Sequence, residues 1–257
     1  LKNIGADYLE SRLRNILIPC CWLIPSCKQI TVTGSRSEAH SLQVNMAKYI
    51  FPKEATIRFP ERYYSPKHVI DSMKVFPLPS IQATPMAIKY VGNWIKTKAG
   101  DRKVICITLR ESSSSPDRNS SLRDWGKFSR NLDNNKYFPV ILRDTEKAFD
   151  PVPYELNGIT LFNEATFNIE IRVALYELSY LNMCINNGPS SLLEMHKKTR
   201  YIYLKVVTPS VYVCSEEWFR SMGIIPGESL PWATPFQKYV WEDDNYKIIK
   251  SELHFRF

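Results

Sequence analysis

The sequence predicts an α/β protein on mainly parallel sheets, organised as two α/β lobes. Short β-branched apolar runs alternate with segments whose apolar residues recur at helical spacing along the 257 residues. The polar link Lys96-Thr-Lys-Ala-Gly-Asp-Arg-Lys103 separates a basic first part from a balanced second part. Residues 1–103 hold 16 Lys+Arg against 7 Asp+Glu, a balance of +9; residues 104–257 hold 18 against 19, a balance of −1. These features predict a lobe over 1–99 and a larger lobe over 100–257.

The elements run in order along the chain. Ile30–Thr33 reads as a strand. Ser35 and Glu38 have capping-box spacing, and Ala39, Leu42, Met46, Ala47 and Ile50 continue a helical face. Ala55–Phe59 is a second strand. Ser65-Pro66 opens a helix to Met73, because Ser caps well and Pro suits the first helical position. Phe76–Ser80 is extended. Thr84-Pro85 repeats the helix-start signal; Ile88, Val91 and Ile95 share a face, and Gly100 ends it. Strand 104–109 and helix Trp125–Leu132 come after it. Strand Tyr137–Leu142 is next, and then a helix whose face includes Phe167, Ile171, Ala174, Leu175, Leu178 and Leu181. Met183–Ile185 is a buried strand leading to a turn and a helix from Leu192. Tyr201–Val207 is a further strand. Two closing helices start at Ser215 and near Asp243-Asp244.

Composition narrows the function classes. Apolar residues make up 44% and charged residues 23%, as in soluble globular proteins. The six cysteines form no CxxC pair, which argues against zinc or a disulfide framework and fits a reducing cytoplasm. The apolar run Ile16–Ile24 is broken by Pro19 and is far short of the roughly 20 residues of a membrane span. No secretory signal pattern precedes it. The basic first part favours an anionic partner, such as a membrane surface, a phosphorylated acceptor or nucleic acid. A merely solubilising surface explains it as well. The aromatic residues are dispersed rather than interleaved with Lys and Arg, so nucleic acid is the less favoured of these.

The sharpest signal is Val104-Ile-Cys-Ile-Thr-Leu-Arg110-Glu111, leading into Ser112-Ser-Ser-Ser-Pro-Asp-Arg118-Asn119-Ser120. A buried strand there delivers Arg110 into a Ser-rich loop with Arg118. Open α/β sheets bind ligands beyond the carboxyl ends of their strands. A guanidinium offers a planar fork of donors that matches phosphate oxygens in pairs. The pair therefore suggests a multiply charged anion such as a diphosphate; solvated surface arginines are the alternative. Asn186-Asn187-Gly188-Pro189-Ser190-Ser191 delivers another strand into a turn and a helix start, where free N–H groups and hydroxyls could hold an anion. Arg143-Asp144 ends a third strand, with Asp144 either accepting from a ribose or base or capping the next helix. His40, next to Glu38 on the capped helix, is either a general base or a surface histidine. Neither a GxGxxG nor a P-loop, a GxSxG elbow or an HExxH motif occurs, and the four histidines lack metal spacing.

As an ordered set, Ile107-Thr-Leu-Arg110-Glu111, Arg118-Asn119-Ser120, Trp125, Tyr137–Thr145 and Asn186-Asn187-Gly188-Pro189 resemble the C-terminal half of bacterial GT-B glycosyltransferases. They are similar to the fucosyltransferase-like group of surface-polysaccharide assembly. The resemblance covers about residues 100–250. It implies two Rossmann-like lobes, the donor lobe at 100–257 and the acceptor-side lobe at 1–99, which is short for this fold or truncated. It also implies metal-independent transfer of a sugar from a nucleoside diphosphate to a glycan or lipid-linked acceptor, with no cofactor. Arg110 and Arg118 would stabilise the leaving diphosphate, and Asn119, Ser120, Asp144, Asn187, Gly188, Ser190 and Ser191 would line the donor pocket. Candidates for the base are His40, Glu38 and Glu111. A cytoplasmic protein, peripheral to the inner face of a membrane, is the expected setting. The sequence departs from the fucosyltransferase pattern in having Thr108-Leu109 before Arg110 in place of the His-x-Arg-Arg signature. A non-enzymatic protein that binds polyanions or nucleic acid is the alternative.

Overall fold

The computed structural model describes residues 6–46, 66–73 and 80–253. Its helices are α1 (Ala6–Arg12), α2 (Ile18–Trp22), α3 (Arg36–Met46), α4 (Pro66–Met73), α5 (Pro85–Lys98), α6 (Leu122–Arg130), α7 (Asn163–Phe167), α8 (Ile169–Leu178), α9 (Ser191–Glu194), α10 (Glu216–Ser221) and α11 (Tyr246–Leu253). The strands are β1 (Lys103–Thr108), β2 (Tyr137–Leu142), β3 (Thr160–Leu161), β4 (Leu181–Ile185), β5 (Tyr201–Leu204) and β6 (Gln237–Tyr239). They form one six-stranded sheet in the order β3-β2-β1-β4-β5-β6. Every pairing is parallel. This is an α/β fold with Rossmann strand order, reversing between β1 and β4.

The two-residue period of a strand divides the core. Ile105 and Ile107 of β1 face Trp125 and Phe128 of α6 and Ile249 of α11. Val104 and Cys106 face the other way, toward Ala87 and Val91 of α5, Ala174 and Leu175 of α8, and Phe219 of α10. Buried on both faces, the central strands read as continuous apolar runs.

Local signals set the helix ends. Thr84 accepts from the Ala87 N–H at 3.3 Å ahead of Pro85, and Gly100 turns the chain away with φ 61°. Asn168 is extended at φ −111° and accepts from Ile171 N–H at 3.1 Å, starting α8. That cap cuts the expected long helix in two. Phe167 belongs to α7, and Leu181 to β4, because Ser179 is extended and returns the chain to the sheet.

Among the described residues every strand falls within 103–239. Ile30–Thr33 is no strand: its residues are exposed or half-exposed and have no partner in the sheet. Ala55–Phe59 and residues 76–79 lie outside the described residues. Helix α5, expected in the first lobe, buries Ala87 and Val91, and its C-cap Ala99, in the same core as the sheet. Sequence reading also missed β3 and β6, of two and three residues, too short to show a period.

Candidate functional site

The strand order reverses between β1 and β4, and in sheets of this order ligands bind outside the carboxyl ends of the strands at such a point. The loop after β1, residues 109–121, fills the centre of this edge and is tied to its neighbours on both sides. Arg118 Nη2 donates to Asn186 O after β4 at 3.2 Å. Lys205 Nζ after β5 donates to Asn119 O at 3.1 Å. Asp244 after β6 accepts from Ser121 N–H and the Trp125 indole, each at 2.8 Å. Burial pushes the Asp244 carboxyl above its ordinary value, against the pull of those donors and Lys205.

Arg110 is buried and holds the loop closed from within. Its guanidinium donates to Ser115 O at 3.0 Å, and to Ser114 O and Asn119 Oδ1. Its backbone N–H donates to Ser120 Oγ at 2.9 Å. Asn119 braces the same loop through Ser112, accepting from its N–H at 3.1 Å and donating to its O at 2.9 Å. Ser115, at φ 54°, takes the left-handed conformation that closing the loop demands.

The loop brings the two arginines together. Burial, and then the charge of Arg118, push the Arg110 guanidinium below its ordinary value; Asp144 and Glu146 pull it back. The Cys214 thiol is raised by burial and drawn down by the charges of both arginines and by a hydrogen bond with the Arg118 side chain. Among the described residues neither arginine forms an ion pair with a carboxylate. Arg118 Nε is buried and has no hydrogen-bond partner. A buried guanidinium nitrogen without a partner is a donor that could still be used.

A cleft of about 460 Å³ opens beside this loop, between the ends of β1 and β2; Arg110, Asn119, Leu122, Arg143, Lys147 and Pro153 are among its lining. Glu111, a candidate base, lines it too, but both its oxygens accept from Arg143, at 2.9 Å from Nε and 2.7 Å from Nη2. The pair is buried, and this carboxylate serves as Arg143's counter-charge. Asp144 caps the turn after β2, accepting from Glu146 N–H at 3.2 Å and Glu111 N–H at 3.3 Å. No helix starts there, so Asp144 caps a turn and not the helix that its position suggested.

The turn after β4 corrects another expectation. Helix α9 is a single turn, and the N–H groups expected to be free at its start are bonded. Ser190 N–H and Oγ–H donate to Asn187 Oδ1 at 2.9 and 2.7 Å. Ser191, Leu192 and Leu193 N–H donate to Gly188, Pro189 and Ser190 carbonyls at 3.2, 3.2 and 2.9 Å. Asn187 and Ser190 are buried and shape the turn, while Gly188 is exposed with open space where a Cβ would stand. His40 and Glu38 sit exposed on α3, and Glu38 accepts from Gly34 N–H at 2.8 Å. Ser35 Oγ accepts from Glu38 N–H at 3.1 Å, so this pair caps its helix as its spacing predicts.

Three further residues carry the edge. Lys205, at φ 49°, ends β5 and pairs with Asp243 at 3.2 Å. The sequence reading ran that strand on to Val207 and hid it. Arg172 of α8 is buried, donating to Tyr176 OH and Thr166 O, each at 3.2 Å, and Tyr176 OH meets Thr108 Oγ1 at 2.9 Å. It comes after no strand, so nothing in the pattern marked it. Glu146 accepts from Ser112 Oγ at 2.6 Å, Ser113 N–H at 2.8 Å and Ser113 Oγ at 2.9 Å, which pull its carboxyl down to about 2. A depressed carboxylate stabilises above its unfolded value near 4.5, and that contribution is lost as pH falls through about 2. The Glu146 side-chain carbon resonance is therefore expected to titrate near pH 2, and Ser112→Ala with Ser113→Ala to return it toward 4.5. Titration of the parent near 4.5 would refute the tie.

Among the described residues no three His, Cys, Asp or Glu side chains gather as a metal site, and no helix is long and apolar enough to cross a membrane. No family model matches the chain, and no curated protein does. A search of solved structures finds a likeness to the glycosyl transferase family 9 protein from Veillonella parvula, at 12% identity and a TM-score of 0.48. The match covers 74% of this chain and 51% of that one, so this chain spans about half the length of that structure.

Proposed function

We propose that this chain is the donor-binding part of a glycosyltransferase, holding a nucleoside-diphosphate sugar at the carboxyl edge of the sheet, against the loop after β1. The observation that carries the proposal is that Arg110 and Arg118 share the loop after β1 without forming an ion pair with a carboxylate, and that Arg118 Nε is buried without a hydrogen-bond partner. Placed there, the pair would offset the charge that develops on a departing diphosphate, an interaction stronger in the transition state than before it. Arg118 faces the anion. Arg110 acts mainly through the loop it closes, lending its charge. Gly188 lets the diphosphate approach the backbone, on a turn shaped by Asn187 and Ser190, and Ser191 flanks it. Asn119, Ser120 and Asp144 hold the β1 and β2 loops around the cleft. The sugar would pass to a hydroxyl of a glycan or lipid-linked acceptor, and the basic first part of the chain would suit an anionic acceptor at a membrane surface.

A thermal-shift screen of nucleoside diphosphates and nucleotide sugars tests this. A ligand at 100 times its Kd adds about 2.7 kcal/mol, or roughly 5–10 °C in a domain of this size. We expect at least one diphosphate to give such a shift and the matching nucleoside to give none. Silence across the screen would remove the proposal.

A further inference from the structure

The rim of the cleft is aromatic on its outer side. In the segment after β2, Lys147, Asp150, Pro151 and Pro153 line the cleft. Interleaved with them, Phe149 is 83% exposed, Val152 44% and Tyr154 83%. Phe149 stacks on Phe167 of α7, with ring centroids 4.7 Å apart and planes 12° from parallel. Phe167 is itself 42% exposed. A large apolar ring at that exposure is disfavoured in water unless something covers it, and clustered exposed apolar side chains mark binding surfaces. Phe149 is backed on one face and its high exposure leaves the other open. Beside it, Lys147 Nζ and Asp150 Oδ2 pair at 2.8 Å at the surface, with donors and an acceptor to spare.

We propose that Phe149 is the platform of a carbohydrate subsite on the rim of the cleft. A pyranose ring has one face of polarised C–H groups and an edge of hydroxyls. The C–H face suits the negative face of an aromatic ring, and the hydroxyls suit Lys147 and Asp150. Phe149 stands between the cleft-lining Lys147 and Asp150 in the chain, so a sugar seated on it lies beside the cleft. The choice of a sugar over another flat ring rests on the glycosyltransferase reading above.

The test uses the full chain and ligand-observed saturation-transfer NMR with methyl α- and β-hexopyranosides, their disaccharides, and uridine and adenosine. At least one sugar should bind, with saturation strongest on the protons of one ring face. Phe149→Leu, which keeps apolar bulk without the ring, should weaken it by up to about tenfold, and Phe149→Tyr should retain it. Pyrophosphate stabilisation should be the same in all three proteins. Absence of sugar binding, binding of the nucleosides alone, or equal sugar binding by Phe149→Leu would overturn the subsite. So would a parent dimer that Phe149→Leu makes monomeric while no sugar binds. Failure of the donor reading would show separately, as absence of pyrophosphate stabilisation in the parent protein.

Discussion

Replacing Arg143 by Ala is expected to destabilise the protein by about 3–5 kcal/mol, because it leaves a buried carboxylate without its partner. Arg143 and Glu111 meet at 2.7 Å with side chains 2% and 8% exposed. Arg143 also donates to Asp150 O at 3.1 Å, so one guanidinium joins the first residues after β1 to the loop after β2. Chemical denaturation of Arg143→Ala should show the loss as a lower midpoint. The paired variant Arg143→Met with Glu111→Met should recover much of it, since two apolar groups of similar size remove both desolvation costs together. An additive double variant would mean that the pair does not act as a unit.

Gly126→Ala is expected to cost about 3 kcal/mol or more, although Ala is ordinarily the better helix residue by about 1 kcal/mol. Its Cβ would stand 1.9 Å from Glu155 O and 2.9 Å from Glu155 C. Neither is a side-chain end that could swing away. Helix α6 approaches the 154–156 turn through this gap, and Arg130 Nη1 donates to the same carbonyl at 2.7 Å. The turn continues directly from Pro153 on the cleft wall. The variant should therefore melt lower in calorimetry, and a Gly126→Ala protein as stable as its parent would show that the close approach is wrong.

The parts of this fold that the sequence revealed are those with strong local chemistry. Thr84-Pro85, Ser35 with Glu38 and Gly100 each act within one turn of helix, so their effect is local and the structure keeps it. Strands β1 and β2 were legible because both faces are buried and the runs are continuous. The break at Asn168 was not, since the apolar spacing from Phe167 to Leu181 passes straight across it and only the cap's hydrogen bond reveals it. Nor was Ile30–Thr33 ruled out in advance, because a β-branched run becomes a strand only where a neighbour offers a ladder.

The candidate site shows the same division. Following a strand end marked Arg110, Arg143 and the Asn186-Asn187 turn, and the structure puts them on the carboxyl edge. What each side chain does there depends on contacts far away in sequence: Glu111 is taken by Arg143, 32 residues on, and the 109–121 loop is held by Lys205 and Asp244. Spacing along the chain carries no record of those contacts.

The central claim is that Arg118, which shares the loop after β1 with Arg110, receives a diphosphate. Calorimetric titration of pyrophosphate into the parent protein, Arg118→Ala and the exposed control Arg123→Ala tests it most directly. A hydrogen bond to a charged group is worth about 1.5–3 kcal/mol, so Arg118→Ala should weaken binding by roughly ten- to hundredfold. Arg123→Ala should bind like the parent. No heat with the parent protein, or equal losses in the two variants, would contradict the claim.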